Sequence, residues 1–225
     1  MCIRDRFHDT HRCATLPHSS QDFAVSEHGR GTFGQYVYDF WWGALRDHES
    51  AEVYAGLLDL DTFLEVGLAV AQGDGSMGWV TTFYIEHNWI LCQFPEAFQN
   101  ELYSGRSHVL APASLAPDGT AEAVDGGYRL SGRWKWGTGL PHAEWVICGG
   151  LTERADGPRE HRFFALPVEE VKVEDTWWVD GMCATGSGDL IVENREVPEE
   201  RSVSIEALSA GKAPGSKLHA APLYN

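Results

Sequence analysis

The sequence predicts an α+β fold in which N-terminal helices lead into an antiparallel β-barrel or sandwich, and three observations carry that expectation. Apolar residues recur at three- and four-residue steps over 61–103. After Val109 that period gives way to short alternating runs broken by Gly and Pro, the spacing of a small all-β unit. Within it, Asp125-Gly126-Gly127 separates two alternating runs, 120–124 and 128–131, and so marks a hairpin turn. With 225 residues, 43% of them hydrophobic, the chain is long enough for one or two domains with a real core.

The first fifty residues hold five of the ten histidines and sustain no helix or strand period. His8, His11, His18, His28 and His48 lack the tight spacing of a metal site, and an aromatic run at 33–45 has no clear register. Asp59 or Asp61 can cap a helix over 61–71, with Leu60, Phe63, Leu64, Gly67, Leu68 and Ala71 on one face and Gly73 as its stop. A second helix is predicted over 76–92, where Trp79, Val80, Phe83, His87, Ile90 and Leu91 share a face. Pro95 opens a third over 96–103, ended by Ser104-Gly105. Strands follow at 109–116, in the hairpin 120–131, at 145–151, 162–166, 171–179 and 188–193, with a polar loop at 152–161. Thr185-Gly186-Ser187-Gly188 reads as a turn, with a ligand or subunit contact as the alternative, since it lacks the strand–loop–helix context of a phosphate loop. From Glu199 onward the composition is that of a helical linker.

Charge and cysteine usage exclude several classes. A formal net charge of −16 leaves no basic run to displace phosphate counterions, which argues against a nucleic-acid partner. No apolar run approaches the roughly 18–20 residues of a membrane helix, and the start lacks the order of a secretory signal; a cytoplasmic location is expected. Cys2, Cys13, Cys92, Cys148 and Cys183 are odd in number and never form Cys-x-x-Cys, so free thiols are expected and no metal site.

The chain is organised around residues 125–150, DGGYRLSGRWKWGTGLPHAEWVICGG. Trp134 and Trp136 stand beside Gly137-Thr138-Gly139, a hydroxyl between two glycines next to two indoles. Such a place suits a flat aromatic ligand, because large rings can wall its face while glycines let backbone amides near its polar edge. The pattern GGY-x-L-SG-x-W-x-W-x-x-G-x-x-x-A-x-W at 126–145 resembles the flavin-binding β-domain of the acyl-CoA dehydrogenase superfamily. It is most similar to that of the oxygenase components of two-component flavin-dependent aromatic monooxygenases. Residues 73–95 and 181–198 resemble the same family, so that the likeness extends over about 54–203.

This resemblance implies reduced flavin (FADH2 or FMNH2) as cofactor, O2 as co-substrate, a separate flavin reductase, and a phenolic or other small aromatic substrate hydroxylated through a flavin hydroperoxide. Trp79 matches a tryptophan beside the flavin, and His87 a histidine on the substrate phenol. Ala113 and Ser114 match a strand that sets backbone and a small hydroxyl against the ring, although relatives often carry two serines there. Trp136, Thr138 and Gly139 complete the implied flavin contacts, with Thr138, where serine is common, beside the ring nitrogen next to the peroxide. Spacing alone reads His87 as a core histidine bonded to a backbone carbonyl. As a catalytic group it would be a neutral imidazole near its ordinary pKa.

The same resemblance implies a C-terminal four-helix bundle beyond the present sequence, an inactive and weakly flavin-binding fragment, and a homotetramer at full length. It divides the chain into an unassigned or foreign leader (1–50), an N-terminal helical part (51–107), the flavin-binding β-domain (108–199) and the start of a helical region (200–225). Two other functions stay open. An FAD-dependent acyl-CoA dehydrogenase would draw its base from the bundle, but resembles this stretch with one residue fewer between Trp134 and Gly139. A non-catalytic flavin- or partner-binding module would account for the tryptophans as ordinary core.

Overall fold

The structure is a computed structural model that describes residues 60–106 and 108–219. The histidine-rich opening, the aromatic run at 33–45 and the proposed leader lie outside the described residues.

Three helices come first. Helix α1 spans Leu60–Gly73, α2 Gly75–Leu91 and α3 Glu96–Tyr103. Asp74 caps α2, its carboxylate accepting from the Met77 N–H at 2.8 Å, two residues before the expected start at Ser76. The packing face of α1 differs from the predicted one. Leu64 and Leu68 are 50% and 64% exposed, and α1 meets α2 through small residues instead. A Cβ added at Gly78 would lie 2.6 Å from that of Ala71, and one at Gly67 would lie 2.7 Å from Thr82 Cγ2. The backbones therefore approach more closely than a leucine seam would allow. Gln99 closes the α2–α3 corner by donating to the carbonyls of Cys92 and Phe94 at 2.9 and 2.7 Å.

The remainder builds one seven-stranded sheet: β1 Ala113–Val124, β2 Gly127–Gly137, β3 Trp145–Thr152, β4 Glu160–Pro167, β5 Lys172–Glu174, β6 Gly188–Pro198 and β7 Ser202–Ser204. Their order is β5-β6-β2-β1-β3-β4-β7. The hairpin of β1 and β2 turns at Asp125-Gly126 as expected. The α+β order, helices followed by a mainly antiparallel β-layer, is as expected; the sheet is not closed into a barrel and ends in two edge strands of three residues each. It also has one parallel pair, β1 with β3, amid antiparallel neighbours. The reason lies in the hairpin. With β2 on one edge of β1, the returning chain takes the other edge, where it runs parallel.

Further strand bounds shift as well. Residues 109–112 precede β1, and of the strand expected at 171–179 only Lys172–Glu174 pairs with β6. Past Glu199, where a helical linker was expected, Ser202–Ser204 adds β7 to the edge of β4 before a short helix α4, Ile205–Ser209.

Buried clusters form on both faces of the sheet. One core joins it to the helices through Phe94, Phe98, Leu102, Trp145 and Ile147; the other gathers Leu130, Trp134, Val146, Cys148, Phe164 and Leu190. Strand β3 serves both, since Ile147 points one way and its neighbours Val146 and Cys148 the other. Burial pushes the Cys148 thiol well above its ordinary pKa, so it remains a packed thiol.

Trp134 is fully buried, and its indole N–H donates to the Gly149 carbonyl at 2.7 Å. Its ring lies over paired glycines on β1 and β2. A Cβ at Gly132 would sit 2.7 Å from the ring, and one at Gly119 would overlap it. Gly119→Ala is accordingly expected to destabilise the chain by about 1–3 kcal/mol through overpacking. Equilibrium urea unfolding measures this, and an unchanged midpoint would show that the slot is loose.

Candidate functional site

Helix α2 places Trp79, Phe83 and His87 at successive four-residue steps, which stack on one face. Their rings form a chain, Trp79 to Phe83 at 4.7 Å and Phe83 to His87 at 5.1 Å between centroids. At the far end His87 is 2% exposed, with Nδ1 2.7 Å from the Ala111 carbonyl. A carbonyl only accepts, so Nδ1 carries the proton and Nε2 is the basic nitrogen. Burial pushes the pKa down to about 4, against a smaller opposing effect of the Ala111 bond. His87 is thus the carbonyl-bonded buried histidine that its spacing suggests, and its pKa is well below the ordinary value expected of a catalytic base.

At the near end the Trp79 indole N–H donates to Thr138 Oγ1 at 3.3 Å. Thr138 is buried just beyond β2, and its hydroxyl also lies 3.1 Å from Ser187 Oγ. Gly139 follows at φ 87°, where its N–H donates to the Thr185 carbonyl at 2.8 Å and its carbonyl accepts from the Tyr84 hydroxyl at 2.6 Å. A side chain there would be strained by φ and would also strike Tyr84, so glycine is required twice over. Burial, with the Glu144 charge nearby, holds the Tyr84 hydroxyl above its ordinary pKa and therefore protonated.

Trp136 also has a positive φ, 65°, which in a residue of its size is a genuine outlier. The register between β2 and β6 shifts at this point, and the side chain stands 66% exposed. Ser114 Oγ donates to the neighbouring Lys135 carbonyl at 3.0 Å, tying the start of β1 to the same stretch. Ala113 is different: its side chain packs into the helix-facing core opposite Ile147.

The predicted residues therefore fall into linked groups. Trp79, Thr138 and Gly139 share a hydrogen-bonded corner; His87 joins it through Phe83; Ser114 and Trp136 meet at Lys135. Ala113 alone turns its side chain away. Missed in the sequence were Tyr84, Thr185 and Ser187. The segment read as a turn leaves a 3-10 turn, Cys183–Thr185, flanked by left-handed Met182 and Gly186; the Ser187 hydroxyl docks on Thr138, and that of Thr185 on Ser187. The alternation of hydroxyl and glycine at 185–188 was the only sequence signal of it.

A half-exposed indole bonded to a buried hydroxyl, with a second exposed indole two residues before that hydroxyl, fits a flat ring with a polar edge better than a finished core. Trp79 and Trp136 are 48% and 66% exposed, whereas Trp134 on the same strand is fully enclosed. A flavin's isoalloxazine has that shape and chemistry. Among the described residues no group of His, Cys, Asp or Glu could hold a metal ion, and no helix is long and apolar enough to cross a membrane.

No family model matches the chain. It is 31% identical over 222 residues to the "Flavin-dependent monooxygenase, oxygenase subunit HsaA" of Rhodococcus jostii, covering 99% of this chain and 54% of that protein. To the "FADH(2)-dependent resorcinol hydroxylase, oxygenase component" of a Rhizobium species it is 34% identical over 158 residues, 70% of this chain and 39% of that one. The crystal structure of 3-HSA hydroxylase from Rhodococcus sp. RHA1 matches with a TM-score of 0.67 at 30% identity, covering 84% of this chain and 57% of the other. That of XiaF from Streptomyces in complex with FADH2 and glycerol matches at 0.65 and 30% identity, covering 83% and 47%. The chain spans about half the length of the curated relatives it matches first. The longest of these alignments take in nearly all of the chain, so the similarity reaches further toward the N-terminus than the motifs at 54–203 indicate.

The buried imidazole makes stability depend on pH. Its folded pKa lies below the unfolded value, so between about pH 6.5 and 4 the unfolded chain binds more protons. Stability from this group is full above the upper limit and falls as pH drops, by on the order of 3 kcal/mol across the window. His87→Gln is expected to remove that loss. Urea unfolding at pH 7 and pH 4.5 checks it, since the stability difference between the two chains should change with pH; a constant difference would contradict the burial.

Proposed function

The relatives of this chain are oxygenase components of two-component flavin-dependent monooxygenases, and from that kinship we propose that it carries flavin- and substrate-binding walls of such an enzyme. The enzyme would use reduced flavin and O2 to hydroxylate a small phenolic compound, with a separate reductase as its electron source. The observation that supports this most is the Thr138 hydroxyl, bonded to the half-exposed indole of Trp79 and joined by one helix face to a neutral buried histidine.

Bound there, reduced flavin with dioxygen would supply the oxygen that is transferred. Trp79 and Trp136 would then wall the ring and keep water from it. Thr138 Oγ1 would hold the polar edge of the ring, a preorganised contact on a backbone fixed by Gly139 and Tyr84. Gly139 and Ser114 would bring main chain close to the same edge. His87 Nε2 would accept a hydrogen bond from the phenol hydroxyl and raise electron density at the carbon beside it. With a pKa near 4 the imidazole is too weak a base to hold the phenol proton at neutral pH, so it polarises the hydroxyl rather than deprotonating it.

The two roles give opposite signatures in enzyme supplied with reduced flavin, dioxygen and a phenol. Thr138→Ala is expected to leave phenol binding intact and to raise hydrogen peroxide released per flavin oxidised, read by a peroxidase-coupled assay. His87→Ala is expected to slow hydroxylation by ~10²–10⁴-fold, with little added peroxide before turnover. Normal coupling in the first variant, or a normal rate in the second, would remove that residue from the proposed site.

A further inference from the structure

Residues 109–111 lie ahead of β1 and outside the sheet, yet their backbone groups are bonded in turn to α2 and to the approach to β3. The Val109 N–H donates to Asn88 Oδ1 at 3.1 Å, and the Val109 carbonyl accepts from Asn88 Nδ2 at 2.9 Å. A backbone N–H only donates and a carbonyl only accepts, so this pair fixes which end of the amide is which. Nδ2 spends its other proton on the Tyr84 carbonyl at 2.7 Å, and Oδ1 lies 3.1 Å from the Tyr103 hydroxyl. The amide is thus held in one orientation with its bonding capacity used. Leu110 faces the other way: its N–H donates to Glu144 Oε2 at 3.0 Å and its carbonyl accepts from the Glu144 N–H at 2.8 Å. The Ala111 carbonyl turns back to α2, where it holds His87 Nδ1 at 2.7 Å. Partners therefore alternate along the segment as in an extended chain, and two adjacent helix residues, His87 and Asn88, grip it two residues apart.

We propose that Asn88 is a positioning residue for His87: by clamping Val109 it fixes the Ala111 carbonyl, which keeps the imidazole proton on Nδ1 and leaves Nε2 as the nitrogen offered to a substrate hydroxyl. Glu144 braces the same segment from its opposite side, and is itself held by Arg106 Nη1 at 2.8 Å. The tautomer is sensitive to this clamp because His87 is buried. If the carbonyl drifts out of hydrogen-bond reach, an Nδ1–H is left unpaired away from water, and the proton settles on Nε2 instead. Nε2 then becomes a donor and no longer accepts from a phenol hydroxyl. The orientation of one amide on α2 thereby decides which way the neighbouring imidazole can act.

This inference rests on the role given to His87 above, and NMR separates the two because it needs no ligand. In the 15N-labelled 225-residue chain, two-bond proton–nitrogen correlations of the imidazole show which nitrogen carries the proton, and the His87 set is the one missing from His87→Gln. The unaltered chain at pH 7 is expected to show a protonated Nδ1 and a bare Nε2. Asn88→Leu, similar in shape but unable to clamp Val109, is expected to lower the ratio of these tautomers about tenfold, the scale of one net hydrogen bond. Glu144→Ala is expected to lower it in the same direction, and Glu144→Gln, which still accepts from the Leu110 N–H, to restore it; this pair carries the test if Asn88→Leu does not fold. A merely structural role would lower the urea midpoint and leave the proton where it is. That result, or a proton already on Nε2 in the unaltered chain, overturns the proposal and leaves the flavin reading standing. In enzyme supplied with reduced flavin, dioxygen and a phenol, Asn88→Leu is expected to slow hydroxylation about tenfold, in step with the tautomer ratio. A shifted tautomer with a normal rate upholds the clamp and removes His87 from the proposed chemistry.

Discussion

The seating of Trp134 on Gly119 and Gly132 is the constraint from which the rest of the β-layer follows. Its ring fills the space that side chains would take on two paired strands, and its N–H reaches across to β3 at Gly149. Three strands are thereby locked at one crossing, with the large aromatic area of one residue driving the contact. Immediately beyond this fixed point β2 loses its regular alternation. Trp136 takes a left-handed backbone and an exposed side chain, and Thr138 is delivered to the corner formed with α2. Strain at Trp136 persists because the slot before it and the Gly139 anchors after it leave the chain no other course.

Helix α2 makes the second demand. It must close against α1 through Gly67 and Gly78, cap itself at Asp74, and turn His87 onto the Ala111 carbonyl just ahead of β1. Burying an imidazole to 2% exposure costs stability once the ring is charged, and a packed apolar residue would avoid that cost. The arrangement instead gives a single tautomer with a defined basic nitrogen. Such local departures from the most stable choice are expected where a site, and not a core, sets the residue.

Helix positions were legible because periodicity is a property of contiguous sequence. Gly73, Pro95 and Ser104-Gly105 punctuated it correctly, and the hairpin was fixed by Asp125-Gly126-Gly127. Which side of α1 packs was not legible, because two glycines can outbid two leucines when backbones come together, and hydrophobicity alone does not encode that approach. Sheet closure failed for a related reason: short alternating runs specify strands, but nothing local tells whether three-residue edges such as β5 and β7 will meet. At the site, family likeness located Trp79, Thr138 and Gly139, which the structure joins. Tyr84, Thr185 and Ser187 escaped notice because their contacts span 46–55 residues, and a hydroxyl in a turn looks the same whether it faces water or Thr138. His87 showed the reverse. Its burial was readable from helical spacing, whereas the size of its pKa shift depends on the whole surrounding fold.

The proposed flavin site takes in the exposed indoles of Trp79 and Trp136 and the Thr138 hydroxyl. An anaerobic crystal structure of the chain soaked with reduced FAD tests it most directly. The ring is expected to lie against the indoles of Trp79 and Trp136, with its N5 about 2.7–3.2 Å from Thr138 Oγ1. A ring bound elsewhere, or Trp136 folded over Thr138 with the ligand excluded, would contradict the account.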